Sequence, residues 1–125
     1  MSLISTDTCR LDGKLAIITG GGSGIGEATA RVFADAGAAV VVTGRRLEPL
    51  QKVAQEIGGH AIACDVSNQS DVQAMFAAAH RITGKVDVLL NNAGGPGPIA
   101  PVAEVDMDEW IGCMNINLVG AMYCL

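Results

Sequence analysis

The residues best placed to do chemistry are Thr19-Gly20-Gly21-Gly22-Ser23-Gly24-Ile25-Gly26, which follow a short apolar run and precede a stretch with helical spacing. A turn of that composition suits a phosphate. Gly20 lets the chain leave a strand sharply, Gly24 leaves room for the backbone to approach a pyrophosphate, and Gly26 lets the next helix pack close to the sheet. The helix start adds unpaired N–H groups and the positive end of its dipole. The key glycines fall four and two residues apart, so G-x-G-x-x-G is not the pattern here. The competing reading is a plain tight turn.

Arg45-Arg46, the one adjacent basic pair, follows a second apolar run that ends at Thr43-Gly44. In a nucleotide-binding sheet the second strand ends beside the adenosine ribose. An acid there bonds the 2′-hydroxyl, whereas an Arg accommodates a 2′-phosphate. No acid lies between residues 36 and 47. The pair therefore points to NADP(H) in preference to NAD(H). The competing reading is solvated charge at a helix start, where cations are disfavoured by the dipole.

These residues need elements to hold them. Short apolar runs predict strands over 14–19, 39–43, 61–64 and 86–90. Helical spacing predicts helices over 27–36, 47–57, 68–82 and 105–125, with Ala28, Val32, Phe33 and Ala36 on the inner face of the first. Gly37 and Gly58-Gly59 stop two of them. Residues 91–101 form a Gly/Pro loop and residues 1–13 a loose arm. Uninterrupted apolar strands alternating with helices fit an α/β fold, a doubly wound parallel sheet of Rossmann type covered on both faces. The unit spans 14–125, with no repeat and no linker inside it. The last helix is apolar nearly all round, which predicts burial on both sides.

The 125 residues make one domain, and an apolar fraction of 50% with 17% charged residues excludes a disordered chain. The net charge of −5 and the few aromatics argue against nucleic-acid binding. All of the excess negative charge falls after residue 85, in a stretch read as mostly buried. Residues 110–125 are too short, and too interrupted by Asn115 and Asn117, to span a membrane, so a core helix is expected and no membrane partner. Cys9, Cys64, Cys113 and Cys124 form no C-x-x-C pair, which fits reduced thiols and a cytoplasmic location. His60 and His80 have no acidic cluster beside them, and no metal is expected. The N-terminus lacks the basic start and apolar stretch of a signal peptide.

In order along the chain, four features carry a resemblance. Thr19 to Gly26 matches T-G-x-x-x-G-I-G, Asp65-Val66 an acid-plus-apolar pair, Asn91-Asn92-Ala93-Gly94 an N-N-A-G, and Asn117-Leu118-Val119-Gly120 an N-L-x-G with Trp110 upstream. From residue 13 on, the chain resembles the N-terminal half of a short-chain dehydrogenase/reductase. The resemblance implies strand order 3-2-1-4 and several roles. Gly20, Ser23, Gly24 and Ile25 would line the pyrophosphate. Asp65 would accept from the adenine amino group, and Val66 would meet that ring through its backbone. Asn92, Ala93 and Gly94 would lie against the nicotinamide-side ribose, while Asn91 ties the sheet together. Asn117 would be the Asn of the catalytic Asn-Ser-Tyr-Lys set, interrupting regular helix bonding and holding a water in the proton relay. Asp65 could instead cap a helix, and Asn117 could be a buried amide satisfied by backbone.

The resemblance implies hydride transfer between nicotinamide and a small carbonyl or alcohol. It also implies a homo-oligomer, dimer or tetramer, with the last helix at a subunit interface; Gly112 and Gly120 are small enough for close helix approach. The catalytic Ser and the Y-x-x-x-K pair are not in this sequence: its one tyrosine is Tyr123 and no lysine follows Lys85. The expectation is a truncated piece of a reductase, inactive alone. The alternatives are a non-catalytic module binding a nucleotide or partner, and a methyltransferase with a related glycine turn, which would want an acid near Gly44.

Overall fold

Residues 9–125 are described by a computed structural model. Strands β1 (Leu15–Thr19), β2 (Ala39–Gly44), β3 (His60–Ala63) and β4 (Val88–Leu90) form one parallel sheet in the order β3-β2-β1-β4. Helices α1 (Gly24–Asp35), α2 (Leu47–Ile57) and α3 (Gln69–Thr83) link consecutive strands. Beyond β4 come a 3₁₀ turn (Val102–Glu104), α4 (Met107–Met114), a π-helical segment (Asn115–Gly120) and α5 (Ala121–Cys124). The doubly wound fold and its strand order are those expected.

Side chains alternate along each strand, so β1 and β2 feed two cores. Leu15, Ile17 and Val41 pack with Val72, Met75 and Ala79 of α3 and Cys124 of α5. Ile18, Val40 and Val42 pack with Ala30 of α1 and Leu50, Val53 and Ala54 of α2. β1 is buried along its whole length, which explains its uninterrupted apolar sequence.

Several expectations are corrected. α1 starts at Gly24, because its first turn is built from the glycines themselves, and its buried face is Gly26 and Ala30 rather than Ala28, which is exposed. Residues 10–12 are not loose: Leu11 N donates to Ala36 O, and Arg10 pairs with Asp12 while donating to Asp35 O. The rest of the expected arm, residues 1–8, lies outside the described residues.

The largest correction concerns the last helix, and with it the stretch after residue 85. Only Gly120 and Cys124 are buried there. Leu118 is 59% and Met122 69% exposed, and Trp110 and Ile111 are also open to solvent. The cause is one-sided cover: Gly120 sits on Val66 and Cys124 joins the core beneath α3, while the faces that carry Ile111, Leu118 and Met122 are left uncovered by the described residues. Gly120 is small for Val66 of the same chain, since a Cβ there would lie 2.7 Å from Val66 Cγ2.

Asp87 closes the lower end of the sheet. Its Oδ2 accepts from Leu15 N at 2.8 Å, and Lys85 pairs with its other oxygen at 3.2 Å. The Leu15 N–H, and then Lys85, hold the Asp87 carboxyl below the usual carboxylate range. A carboxyl depressed in the folded state stabilises the fold above its unfolded value, about 4, and that contribution is lost as pH falls through the folded value. Asp87→Asn keeps an acceptor for Leu15 but cannot titrate. The difference in stability between wild type and Asp87→Asn, measured by urea unfolding, should therefore shrink steadily from pH 5 downward. A difference independent of pH would show that Asp87 titrates normally.

Candidate functional site

The site forms at the carboxyl ends of the strands, where the sheet order reverses between β1 and β4, the place where open α/β sheets bind ligands. Two clefts meet there. The larger, about 410 Å³, lies between the glycine turn and the start of α2 and is lined by Gly20, Ser23, Gly44, Arg45 and Arg46 among others. The smaller, about 150 Å³, runs past Asp65, Val66, Ala93 and Gly94. Gly20, Gly44 and Arg45 line both, so the two form one track.

The turn has the build its sequence called for. Gly20 takes φ +67° and Gly24 φ +55°, conformations that favour glycine. Gly26 is buried against the turn itself: a Cβ there would lie 2.3 Å from Gly20 O. Ser23 is the N-cap of α1, yet its side chain makes no cap bond and is exposed. The first N–H groups of α1 are thus open to an anion at the mouth of the larger cleft.

Arg45 and Arg46 are exposed and make no ion pair among the described residues. Asp65 is oriented by Ser67, whose Oγ and N donate to Oδ1 at 2.6 and 3.0 Å. Those bonds, the hydroxyl's first, hold the carboxyl below its usual range despite partial burial, and Arg45 adds to the effect. Asp65 does not cap α3; Asn68 does, accepting from Asp71 N. Asp65 Oδ2 is left to accept from a ligand. Cys64, beside it, is a buried thiol pushed up to about 11 by desolvation, so it stays protonated at neutral pH.

The paired asparagines divide differently from expectation. Asn92 does the tying. Its Nδ2 donates to Thr19 O and Gly20 O at 3.0 and 3.3 Å, and its N, with that of Ala93, donates to Thr19 Oγ1 at 2.9 and 2.8 Å. Asn91 instead donates to Ala121 O at 2.9 Å, fastening β4 to α5. Asn92 is brought to the site with its amide turned toward β1.

Asn117 sits inside the π-helical segment, so regular helix bonding is interrupted where the resemblance implied. Its side chain is not buried; it binds both polar groups of Gly95. Neither cleft is lined by Gly24, Ile25, Gly26 or Asn117, and Ile25 is 77% exposed. The sequence reading missed Pro49, Leu50 and Ile116, which do line the track. It placed Thr19 in the turn but gave it no role, although a polar residue fully buried at the end of an apolar strand demands hydrogen-bond partners. Among the described residues no cluster of His, Cys, Asp and Glu could hold a metal, and no helix is long and apolar enough to cross a membrane.

Comparison with known proteins finds the same architecture. The sequence profile described as short chain dehydrogenase matches residues 14–125. The short chain dehydrogenase/reductase astE of Aspergillus oryzae is 43% identical over 123 residues, covering 92% of this chain and 46% of that protein. The 7alpha-hydroxysteroid dehydrogenase of Escherichia coli K12 is 46% identical over 101 residues, covering 77% of this chain and 40% of that protein. A crystal structure of the 3-ketoacyl-(acyl-carrier-protein) reductase of Brucella melitensis complexed with NADH superposes with a TM-score of 0.88 at 39% identity, covering 92% of this chain and 48% of that one. The chain spans about half the length of the relatives it matches.

Proposed function

This chain belongs to the short chain dehydrogenase family, and from that premise we propose that the protein encoded by its full reading frame is an NADP(H)-dependent oxidoreductase acting on a small carbonyl or alcohol. One observation carries the reading: the phosphate-binding turn, the two arginines and Asp65 meet along one track at the switch point of the sheet. The residues fit a dinucleotide. The turn is crowded behind Gly20 and Gly26 but open at Gly24, as a surface approached by a pyrophosphate must be.

In this reading the N–H groups at the start of α1 and the Ser23 hydroxyl hold the pyrophosphate. Arg45 and Arg46 neutralise a 2′-phosphate. Asp65, ionised and held at Oδ1 by Ser67, accepts from the adenine amino group at Oδ2, with Val66 against the ring. Ala93 and Gly94 form the wall beside the nicotinamide-side ribose. The bound nicotinamide supplies or takes the hydride. The substrate proton is handled by a tyrosine–lysine pair that this sequence does not contain. The exposed apolar faces around Trp110, Ile111, Leu118 and Met122 fit a subunit interface in a homo-oligomer. Buried thiols at Cys64 and Cys124 fit the reducing cytoplasm.

The test is expression of the full reading frame beside residues 1–125 alone. The full product should oxidise NADPH with a panel of small ketones, sediment as more than a monomer, and fractionate with cytosol. The 125-residue chain should give no turnover. Tight cofactor binding by the full product without turnover of any carbonyl would favour a non-catalytic nucleotide-binding protein.

A further inference from the structure

The loop after β4 crosses the π-helical segment at one carboxamide. Asn117 Nδ2 donates to Gly95 O at 3.0 Å and to Cys113 O at 2.9 Å, with Cys113 Sγ at 3.1 Å; its Oδ1 accepts from Gly95 N at 3.1 Å. Three acceptors on one side and an N–H on the other fix which way the amide faces. A flipped amide would set its oxygen against two carbonyls. An amide nitrogen has two hydrogens, so one serves Gly95 O and the other is shared by the carbonyl and sulfur of Cys113. The thiol also lies close beside the loop, since a Cβ on Gly97 would lie 3.2 Å from Cys113 Sγ. Cys113 and Asn117 are four residues apart, one turn along the helix.

The clamp reaches the ligand track through Gly94. A Cβ at that position would lie 2.4 Å from Asn117 Oδ1, so the carboxamide packs directly behind the backbone that walls the smaller cleft.

We propose that Cys113 is a positioning residue: its sulfur and carbonyl set the Asn117 carboxamide that pins Gly94-Gly95, and so set the wall of the smaller cleft. The catalytic consequence rests on the oxidoreductase reading above; the structural role does not. Cys113 acts through Asn117 and touches neither cofactor nor substrate in this scheme. Its sulfur does two things that substitution can separate. Valine fills similar space but offers no acceptor. Serine offers an acceptor but is smaller.

The experiment uses the protein from its full reading frame. The direct readout is amide hydrogen exchange at Gly95, whose N–H is the one Asn117 accepts. Cys113→Val should speed exchange at Gly95 by about three- to tenfold, the worth of one hydrogen bond, with β1 amides unchanged. Cys113→Ser should restore most of the protection. In steady state Cys113→Val should lower kcat and leave the dissociation constant of 2′,5′-ADP, a probe of the adenine half alone, unchanged; Cys113→Ser should recover kcat. Unchanged Gly95 exchange in Cys113→Val would overturn the proposal, as would faster exchange spread evenly over the sheet. If Cys113→Val fails to fold, Cys113→Ala removes the same acceptor and is judged by the same criteria. Absence of turnover in the wild-type protein would count against the oxidoreductase reading, and Gly95 exchange would still decide the role of Cys113.

Discussion

Gly26→Ala is expected to destabilise the fold by about 3 kcal/mol, at the upper end for overpacking a tight site, and to abolish nucleotide binding. The added methyl would lie 2.3 Å from Gly20 O, 2.7 Å from Asn92 Nδ2 and 2.9 Å from Gly20 C. Two of those atoms are backbone, so no side-chain rotation relieves the clash. α1 must lift from the end of β1, and the bonds from Asn92 to Thr19 and Gly20 must stretch with it. Gly24→Ala is the natural control. It adds strain at φ +55° but meets nothing within 4 Å, and should cost about 1 kcal/mol. In urea unfolding, Gly26→Ala should lower the midpoint by about 2 M. A loss no greater than that of Gly24→Ala would mean the helix approaches the turn less closely than the structure shows.

Arg45→Ala is expected to weaken NADP(H) binding by about ten- to a hundredfold, the worth of a charge-assisted bond to phosphate, while leaving NAD(H) nearly unchanged. Arg45 lines both clefts and makes no ion pair among the described residues, although its charge also acts on Asp65 across the smaller one. Being exposed, its contribution should also fall with ionic strength. Dissociation constants for both cofactors, measured at low and physiological salt, check this. Equal weakening for the two would remove the 2′-phosphate assignment.

The glycine turn, the inner strands and α2 were legible because each follows from local constraints. A strand buried along its whole length must be apolar throughout, as β1 is, and the bounds of α2 coincide with its spacing and its Gly58 stop. Four things were not legible. On the inner face of α1, Phe33 and Ala36 do meet the core, but Ala28 was placed there instead of Gly26 and Ala30, because the closest contact is made by Gly26, a residue with no side chain for an apolar pattern to register. The tie to β1 is made by Asn92 and not by Asn91, which fastens α5 instead, because neighbours in an extended segment point opposite ways, and the pair alone does not say which faces β1. The last helix was read as buried because its composition is apolar, but composition does not name the surface that covers it. His60–Ala63 and Val88–Leu90 are the sheet's edges and are only partly buried or exposed, which blurred the bounds of both.

Thr19 bears on the energetics of binding. Its one hydroxyl receives two backbone N–H groups, from Asn92 and Ala93, and donates to Leu90 O at 3.3 Å. The exit of β1, the glycine turn and the loop after β4 are thereby tied into one stiff frame within the folded chain. Binding often carries an entropic penalty for ordering the loops that will touch the ligand. Here that ordering is completed when the chain folds. In the proposed reading the floor of the track would already be ordered when a dinucleotide arrives, and the affinity of the glycine turn would be reduced little by loop freezing.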